Sequence, residues 1–169
     1  MPEIVTFGEV MIRLMPVDHL PFEEADILYS LVGGSEYNMA ASCRRLGHSA
    51  MFVTVVPDNS YGARIISQCN RHGIGGGVTK VKFDGLGKVR VGQYLVEQGF
   101  GSRGDVVTYD RYSSAVSQVK PGDLDWKTIF EGAKWFHFSG ITPALGPKVN
   151  EVCIEACEIA RSMGLRISI

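Results

Sequence analysis

Three residues in the second half of the chain have types and a spacing suited to binding an anion. Tyr109 and Arg111 lie two apart on a predicted strand, so their side chains project from one face, while Asp110 projects from the other. A phenol beside a forked guanidinium suits a carboxylate or a phosphate, and Tyr94 on the neighbouring predicted strand could join them. Aromatic and charged pairing across a solvated hairpin explains the same spacing equally well.

A pair of glycines, Gly33 and Gly34, comes directly before a predicted helix that starts at Ser35. Without side chains, this segment would let a ligand approach bare backbone and the positive end of the helix dipole at the same point. The spacing alone favours an ordinary tight turn, because a lone Gly-Gly pair carries little information. A binding role for the pair therefore depends on other residues that point to the same place.

Other residues with possible chemistry are better explained by core packing. His137 stands inside a very apolar predicted strand, as a core histidine with a satisfied hydrogen bond would. Cys153 and Cys157 share a helix face without a second pair at metal-ligand spacing, so the sequence favours packing over a metal site. The glycines between 73 and 77 follow a helix and no Gly-Lys-Ser/Thr comes after them, which argues against a dinucleotide fingerprint and a P-loop.

Composition predicts a single soluble globular domain. The chain has 169 residues, 45% hydrophobic and 21% charged, with 17 Lys and Arg against 18 Asp and Glu. A domain of about 150 residues hides roughly 70% of its unfolded surface, which is enough for a core without disulfides or metals. The net charge of −1 gives no reason to expect a nucleic-acid partner. No signal peptide is recognisable and apolar runs fall short of the roughly 20 residues of a membrane span, so we expect a cytoplasmic protein with no membrane partner.

Apolar runs that end at glycine or proline alternate with helical periodicity along most of the chain. Strands are predicted at 4–7, 49–56, 135–138 and 165–169, and helices at 36–46, 60–71 and 149–163. Valines alternate with polar residues between turn signals in 78–112, which predicts antiparallel hairpins there. The alternation of strands and helices predicts an α/β fold with a parallel sheet covered on both faces, and the hairpin segment would lie outside it as a lid.

Ligands of such sheets bind beyond the carboxyl ends of the strands. Here those ends are Gly8-Glu9 and residues 139–141, and Gly33-Gly34 precedes the first helix. The predicted site is bounded by these three segments and by the lid residues that point inward.

Several motifs in a fixed order resemble the ribokinase-like (PfkB) family of carbohydrate kinases. They are Phe7-Gly8-Glu9, Val32-Gly33-Gly34-Ser35-Glu36-Tyr37-Asn38-Met39-Ala40, Arg45-Leu46-Gly47 and the turn at 58–62. The resemblance covers the whole chain, and residues 138–145 are similar to the 2-keto-3-deoxygluconate kinase branch. It implies a ribokinase-like three-layer α/β/α parallel sheet with a small β-sheet lid, of which this chain is the N-terminal half. Residues 1–9, 34–77 and 113–169 would form the core, and residues 10–33 and 78–112 the lid.

The same resemblance implies seven substrate-binding positions: Gly33, Gly34, Asn38, Tyr94, Tyr109, Arg111 and Ile141. The backbone of Gly34 would touch the sugar, Asn38 would lie near a hydroxyl, and Ile141 would pack against the substrate. The two tyrosines and Arg111 would reach from the lid to a keto acid, with Arg111 pairing with its carboxylate. Related kinases of neutral sugars usually carry an aspartate where this chain has Arg13, which agrees with an anionic substrate, although a solvated lid position explains Arg13 equally well.

The reaction implied by the resemblance is transfer of the γ-phosphoryl group of ATP, with Mg²⁺, to a hydroxyl of an acid sugar. The family's catalytic base is an aspartate in a Gly-Ala-Gly-Asp motif, which does not occur among these residues. We therefore expect no catalytic residue in this chain and no turnover by the chain alone, because activation of the hydroxyl and charge neutralisation would both be missing. Lids in the family often pair across a twofold axis, which predicts a homodimer or a larger homo-oligomer.

Two alternatives stay open at this point. The chain could be a non-catalytic sugar-binding or dimerisation module that kept the lid without the phosphoryl-transfer half. It could also belong to a related kinase of the fructokinase or ribokinase type. The relative affinity for acid and neutral sugars, with and without Arg111, separates this second alternative from a kinase of acid sugars.

Overall fold

The computed structural model describes residues 1–169 as nine strands and four α-helices. The strands are β1 (Ile4–Phe7), β2 (Met11–Pro16), β3 (Leu28–Gly33), β4 (Ala50–Pro57), β5 (Gly77–Val81), β6 (Gln93–Glu97), β7 (Val106–Asp110), β8 (Trp135–His137) and β9 (Arg166–Ser168). The helices are α1 (Ser35–Arg45), α2 (Ser60–Arg71), α3 (Trp126–Ile129) and α4 (Pro147–Ser162). None of these helices combines the length and the apolar character that crossing a bilayer requires.

Five parallel strands form the first sheet, in the order β5-β4-β1-β8-β9. The central strand β1 pairs with β4 and β8, so that Thr6 lies between Phe52 and His137. Helices α1 and α2 cover one face of the sheet, and α3 and α4 cover the other. This arrangement confirms the three-layer α/β fold predicted from the alternation of strands and helices.

The larger of two cores lies between the first sheet and helices α3 and α4. Val5 and Phe7 are completely buried there, and Trp126 packs edge-on against Phe7 with ring centroids 5.2 Å apart. The second core lies beneath α1 and α2 and contains the fully buried Phe52. Packing of β1 on both faces fixes its position, and Glu9 follows it at the carboxyl end of the sheet.

Four strands form the second sheet, in the order β3-β2-β6-β7. The pairs β2 with β3 and β6 with β7 are antiparallel, whereas β2 and β6 are parallel. In register across the sheet, Leu31 pairs with Arg13, Arg13 with Tyr94, and Tyr94 with Tyr109. Residues in such a row project from one face, so this sheet presents two tyrosines and an arginine together.

The prediction that residues 78–112 all belong to the lid is wrong at its start. Gly77–Val81 form β5, which pairs parallel with β4 and makes one edge of the first sheet. The valine alternation at Val89 and Val91 forms no regular strand, and Val91 is instead buried in the core beneath α1 and α2. A valine-rich run has the same local preference in either sheet, and tertiary packing decides which partner it joins.

The predicted strand at 135–138 is buried on one face only. Phe136 and Phe138 contact the larger core, whereas Trp135 is 38% exposed and His137 is half-buried. Nδ1 of His137 lies 2.8 Å from the hydroxyl of Ser168, so this histidine has the expected hydrogen-bond partner without being fully enclosed. The second face of β8 is therefore open.

Candidate functional site

A small pocket lies where the carboxyl end of β1 and the start of α1 meet the second sheet. Its volume is about 160 Å³, and ten residues line it: Glu9, Met11, Gly34, Ser35, Glu36, Asn38, Tyr94, Tyr109, Arg111 and Ile141. Six of the seven predicted binding positions belong to this set, and the seventh, Gly33, lies against Tyr94. The fold thus brings together residues that are far apart in the chain.

Both glycines of the pair are in close contact with neighbouring atoms. A Cβ atom at Gly34 would overlap the carbonyl oxygen of Glu9, and a Cβ at Gly33 would lie 2.7 Å from the phenolic oxygen of Tyr94. Gly34 has an extended backbone, with φ of 176°, and precedes α1 directly. The lack of side chains therefore leaves the N-terminal end of α1 open to the pocket.

Tyr94 and Tyr109 form an aromatic wall of the pocket. They are opposite each other on β6 and β7, and their rings stack with centroids 5.7 Å apart and an interplanar angle of 24°. Burial raises the pKa of Tyr94, so its phenol stays protonated at neutral pH and can donate a hydrogen bond. Arg111 follows β7 directly, and its guanidinium carbon lies 5.6 Å from the ring centroid of Tyr109.

The guanidinium of Arg111 forms an ion pair with the carboxylate of Glu9. The Glu9 side chain is 3% exposed and the Arg111 side chain 26% exposed. Burial raises the pKa of Glu9, and the positive charge of Arg111 opposes this rise. Glu9 was predicted only as a boundary of the site. No local sequence pattern indicates that it pairs with Arg111, which is distant in the chain.

Glu36 is a second buried carboxylate, which was not predicted from the sequence. Its Oε1 accepts hydrogen bonds from the backbone N–H of Ser139 at 2.7 Å and from the hydroxyl of Thr142 at 2.9 Å. The hydroxyl of Thr6 donates to its backbone carbonyl at 3.0 Å. Glu36 therefore ties the start of α1 to the segment after β8 that carries Ile141. An acidic residue in the first turn of a helix is the one sequence signal that points to it.

A wider cleft of about 940 Å³ adjoins the pocket and shares Tyr109, Arg111 and Ile141 with it. It extends to the beginning of α4, where Pro147 and Lys148 line it. Sites for small molecules commonly enclose about 300–1,000 Å³. The inner pocket is smaller than this range, so a ligand seated in it would extend past the three shared residues into the cleft.

Arg13 lies beside the aromatic wall and does not line the pocket itself. It is in register with Tyr94 on the neighbouring strand, and its positive charge opposes the rise in the Tyr94 pKa that burial causes. Its Nη2 lies 3.2 Å from the sulfur of Met15. The site therefore has one cation in its lining, Arg111, and a second one close behind.

The side chains of this chain offer no ligand cluster for a magnesium ion. No three His, Cys, Asp or Glu side chains are grouped as ligands of a metal ion would be. Cys153 and Cys157 pack in the larger core, and burial raises the pKa of Cys153 to about 12. What the pocket offers is a guanidinium, two phenols, an amide and open backbone, which are groups that form hydrogen bonds and ion pairs with polar ligands.

The fold is that of one half of a ribokinase-like carbohydrate kinase, and the pocket lies where that half meets its lid. A family model described as pfkB family carbohydrate kinase matches residues 1–167, and the chain belongs to this family. The resemblance drawn from the sequence motifs is thereby confirmed.

Known relatives agree with this assignment. The chain is 38% identical over 162 residues to 2-dehydro-3-deoxygalactonokinase of Haloferax volcanii, covering 96% of this chain and 49% of that protein. It is 26% identical over 166 residues to probable fructokinase-4 of Arabidopsis thaliana, covering 98% and 49%. The crystal structure of 2-dehydro-3-deoxygluconokinase from Thermotoga maritima superposes with a TM-score of 0.91 at 36% identity, over 99% of this chain and 50% of that one. The chain spans about half the length of the relatives it matches.

Proposed function

We propose that the complete protein is a kinase of 2-keto-3-deoxygluconate or a similar acid sugar, and that this chain supplies most of the acceptor-sugar site. The observation that carries the proposal is the position of Arg111 beside Tyr94 and Tyr109 in one pocket. A guanidinium is well suited to a carboxylate, and a neutral hexose has no such group to offer it. The names of two relatives, a 2-dehydro-3-deoxygalactonokinase and a 2-dehydro-3-deoxygluconokinase, support the same class of substrate.

In this proposal, each side chain of the pocket has a defined part in holding the sugar. Arg111 binds the carboxylate, and the two stacked tyrosines donate hydrogen bonds to the keto-acid oxygens. The bare backbone at Gly34 admits the sugar to the start of α1, where the amide of Asn38 meets a hydroxyl. Ile141 packs against the carbon chain. Because the pocket is partly buried, the carboxylate loses water on entry, which strengthens its attraction to the guanidinium.

ATP with Mg²⁺ is the proposed phosphoryl donor of the complete protein, because the family is one of carbohydrate kinases. The 169-residue chain alone should show no turnover, since neither carboxylate of the pocket is free to deprotonate a sugar hydroxyl: Glu9 pairs with Arg111, and Glu36 accepts two hydrogen bonds. A coupled assay with ATP, Mg²⁺ and 2-keto-3-deoxygluconate checks this. ATP-dependent turnover by a preparation of matching mass would contradict it.

Substitution of Arg111 tests the assignment of the substrate. Arg111→Ala should weaken binding of 2-keto-3-deoxygluconate by about 10- to 100-fold, because hydrogen bonds to a charged group contribute about 1.5–3 kcal/mol, and should leave fructose affinity unchanged. Arg111→Lys should fall between, since it keeps the charge and loses the fork. Isothermal titration measures both sugars. Arg45→Ala, which removes an exposed arginine at the end of α1, is the matched control. Equal losses for the two sugars would contradict a carboxylate contact.

A kinase of a neutral sugar is the second candidate, and the similarity to a probable fructokinase favours it. The same titrations decide between the two candidates. Tighter binding of fructose than of the acid sugar by the unsubstituted chain would favour the neutral-sugar kinase.

A sugar-binding and dimerisation module is the remaining alternative, and one surface supports self-association. Tyr29, Leu31 and Val107 are about half exposed on the face of the second sheet that also carries Tyr109. Exposed apolar side chains gathered on one face are typical of protein interfaces. A homodimer through this face is therefore part of the proposal, and it is compatible with a kinase as well as with a module.

A further inference from the structure

The ion pair between Glu9 and Arg111 occupies the guanidinium that an anionic sugar would need. Glu9 is almost completely buried, whereas Arg111 lines both the pocket and the adjoining cleft. A Cβ at Gly92 would lie 2.9 Å from Oε1 of Glu9 and 3.2 Å from the Cβ of Arg111, so backbone encloses the pair on that side.

The surroundings of Glu9 act on its pKa in opposite directions. Burial is the strongest influence on its pKa and raises it, and the nearby carboxylate of Glu36 on α1 acts in the same direction. Ser114 and Arg111, both beyond the end of β7, lower it. Arg111 is thus the cation that opposes the rise in the pKa of Glu9 while the pocket holds no ligand.

A sugar carboxylate at Arg111 would have to share the guanidinium with Glu9. The sugar carboxylate and the buried Glu9 carboxylate would then face one guanidinium, and two neighbouring acids in such a position do not both stay ionised. A 2-keto carboxylic acid is a stronger acid than a glutamate side chain, so the sugar keeps its charge. Glu9 is buried and has Arg111 as its cationic partner, so it is the group that loses its counter-ion to the sugar and takes up a proton.

We propose that Glu9 is the resident counter-ion of Arg111, and that an acid sugar displaces it from the guanidinium while the Glu9 carboxylate takes up a proton from solvent. This inference rests on the acid-sugar assignment proposed above. The step forms an O–H bond on Glu9, breaks no bond in the sugar and exchanges one ion pair of Arg111 for another. A neutral sugar binds without the step, because it leaves the ion pair in place. Glu9 is therefore a specificity-determining residue of the pocket.

The sign of the pH dependence follows from this exchange. The complex holds more protons than the free protein, so affinity for the acid sugar falls as the pH rises above the pKa of Glu9 in the free protein, by up to about tenfold per pH unit. The dependence ends above the pKa that Glu9 has in the complex. Glu9→Gln resembles the protonated side chain, so its affinity for the acid sugar should not vary with pH in this window.

Isothermal titration of the 169-residue chain in two buffers of different ionisation enthalpy counts the protons. With 2-keto-3-deoxygluconate, titrated at a series of pH values, we expect proton uptake that rises to about one proton per sugar bound between the pKa of Glu9 in the free protein and its pKa in the complex, and with fructose we expect none at any pH. Glu9→Gln should bind the acid sugar without uptake. Glu151→Gln, which changes an exposed glutamate of α4, is the matched control and should take up protons like the unsubstituted chain.

The outcomes separate this inference from the assignment on which it rests. Binding of the acid sugar without proton uptake, or unchanged uptake by Glu9→Gln, overturns the role of Glu9 and leaves the acid-sugar assignment intact. Binding of fructose with no binding of the acid sugar overturns both. Carbon-13 labelling of the glutamate carboxyls gives a readout that needs no variant. One signal should move to its protonated position when the acid sugar is added, and a spectrum without that change contradicts the proposal.

Discussion

At Gly33, the wall of the pocket leaves no room for a side chain. Gly33→Ala places a methyl group 2.7 Å from the phenolic oxygen of Tyr94, whose ring is held by the stack with Tyr109. We expect it to lower the free energy of unfolding by about 1–2 kcal/mol. Tyr94→Phe removes that oxygen and leaves the nearest ring carbon 3.8 Å away. In that background the same substitution should cost less than about 0.5 kcal/mol. Urea denaturation of the four proteins measures the difference.

Gly34 provides the control for this cycle. A methyl group there meets the backbone carbonyl of Glu9, which cannot rotate away as a side chain does. Gly34→Ala should therefore be destabilising in both backgrounds, with no relief from Tyr94→Phe. Equal destabilisation by Gly33→Ala with and without the phenol would show that Tyr94 does not set the limit at Gly33.

Single residues differ in how far the sequence reveals their roles. The spacing of Tyr109 and Arg111 is a local property of the sequence, and in the structure the guanidinium of Arg111 lies beside the ring of Tyr109. The pairing of Arg111 with Glu9 joins two segments that are far apart in the chain, and no period or motif encodes it. Motifs pointed to residues that now line one pocket, whereas the counter-ion of the arginine became visible only in three dimensions.

At the scale of elements, Glu36 fastens helix α1 to the segment after β8. Glu36→Ala would leave the N–H of Ser139 without its acceptor and the hydroxyl of Thr142 with only a longer contact, 3.4 Å, to the carbonyl oxygen of Phe7. Buried donors without partners cost about 1–3 kcal/mol each, so we expect the free energy of unfolding to fall by about 2–4 kcal/mol. Chemical denaturation gives the value. The segment that carries Ile141 should also loosen, which weakens sugar binding.

Two further variants make this prediction specific to the hydrogen bonds. Glu36→Gln keeps a carbonyl oxygen in place and should lose less stability than Glu36→Ala. Glu151→Ala, on the exposed side of α4, should change stability by less than about 0.5 kcal/mol. If Glu36→Ala were no more destabilising than Glu151→Ala, the hydrogen bonds of Glu36 to the segment after β8 would contribute nothing to the free energy of unfolding.

Periodicity and end signals are local, so the sequence predicted helices α1, α2 and α4 and every strand of the first sheet except β5. Helix α3 has only four residues and is too short to show a period. Strand β5 shows where this stops, because residues 77–81 join β4 instead of the hairpin that follows them. The turn through Gly75 and Gly76 allows either course. The pairing partner of residues 77–81 depends on which edge of a sheet is free in the folded protein, and a valine-rich run does not specify that partner.

At the scale of the molecule, the apolar face of the second sheet should determine the oligomeric state. Leu31 and Val107 are 43% and 47% exposed, and a carboxylate at either position would be desolvated in an interface between two copies. We expect a dimer for the unsubstituted chain and a monomer for Leu31→Glu and Val107→Glu. Light scattering after size-exclusion chromatography measures the mass.

Leu46→Glu is the matched control for this surface, since Leu46 is 78% exposed at the end of α1 and does not lie on the second sheet. It should leave the mass of the dimer unchanged. A monomeric unsubstituted chain, or a dimer that survives both substitutions on the sheet, would contradict association through this face.

Apolar surface is also open around β9. Ile154 of α4 is 52% exposed beside a cavity of about 740 Å³, and Trp135 is 38% exposed beside one of about 300 Å³ on the other face of the sheet. Composition predicted one self-contained domain, yet the chain covers only about half the length of the relatives it matches. The apolar content of a sequence indicates how large a core the chain can form. Only the structure shows which apolar side chains are buried and which stay exposed.

The central position of β1 has a consequence for the order in which the chain assembles on the ribosome. One side of this strand can pair as soon as Ala50–Pro57 has emerged, while the other waits for Trp135–His137. The aromatic partners of Phe7, including Trp126, are also synthesised late. Such long-range pairing forms slowly. The nascent polypeptide therefore carries a partly uncovered apolar strand until Trp135–His137 has been synthesised, and chaperones engage exposed segments during such an interval.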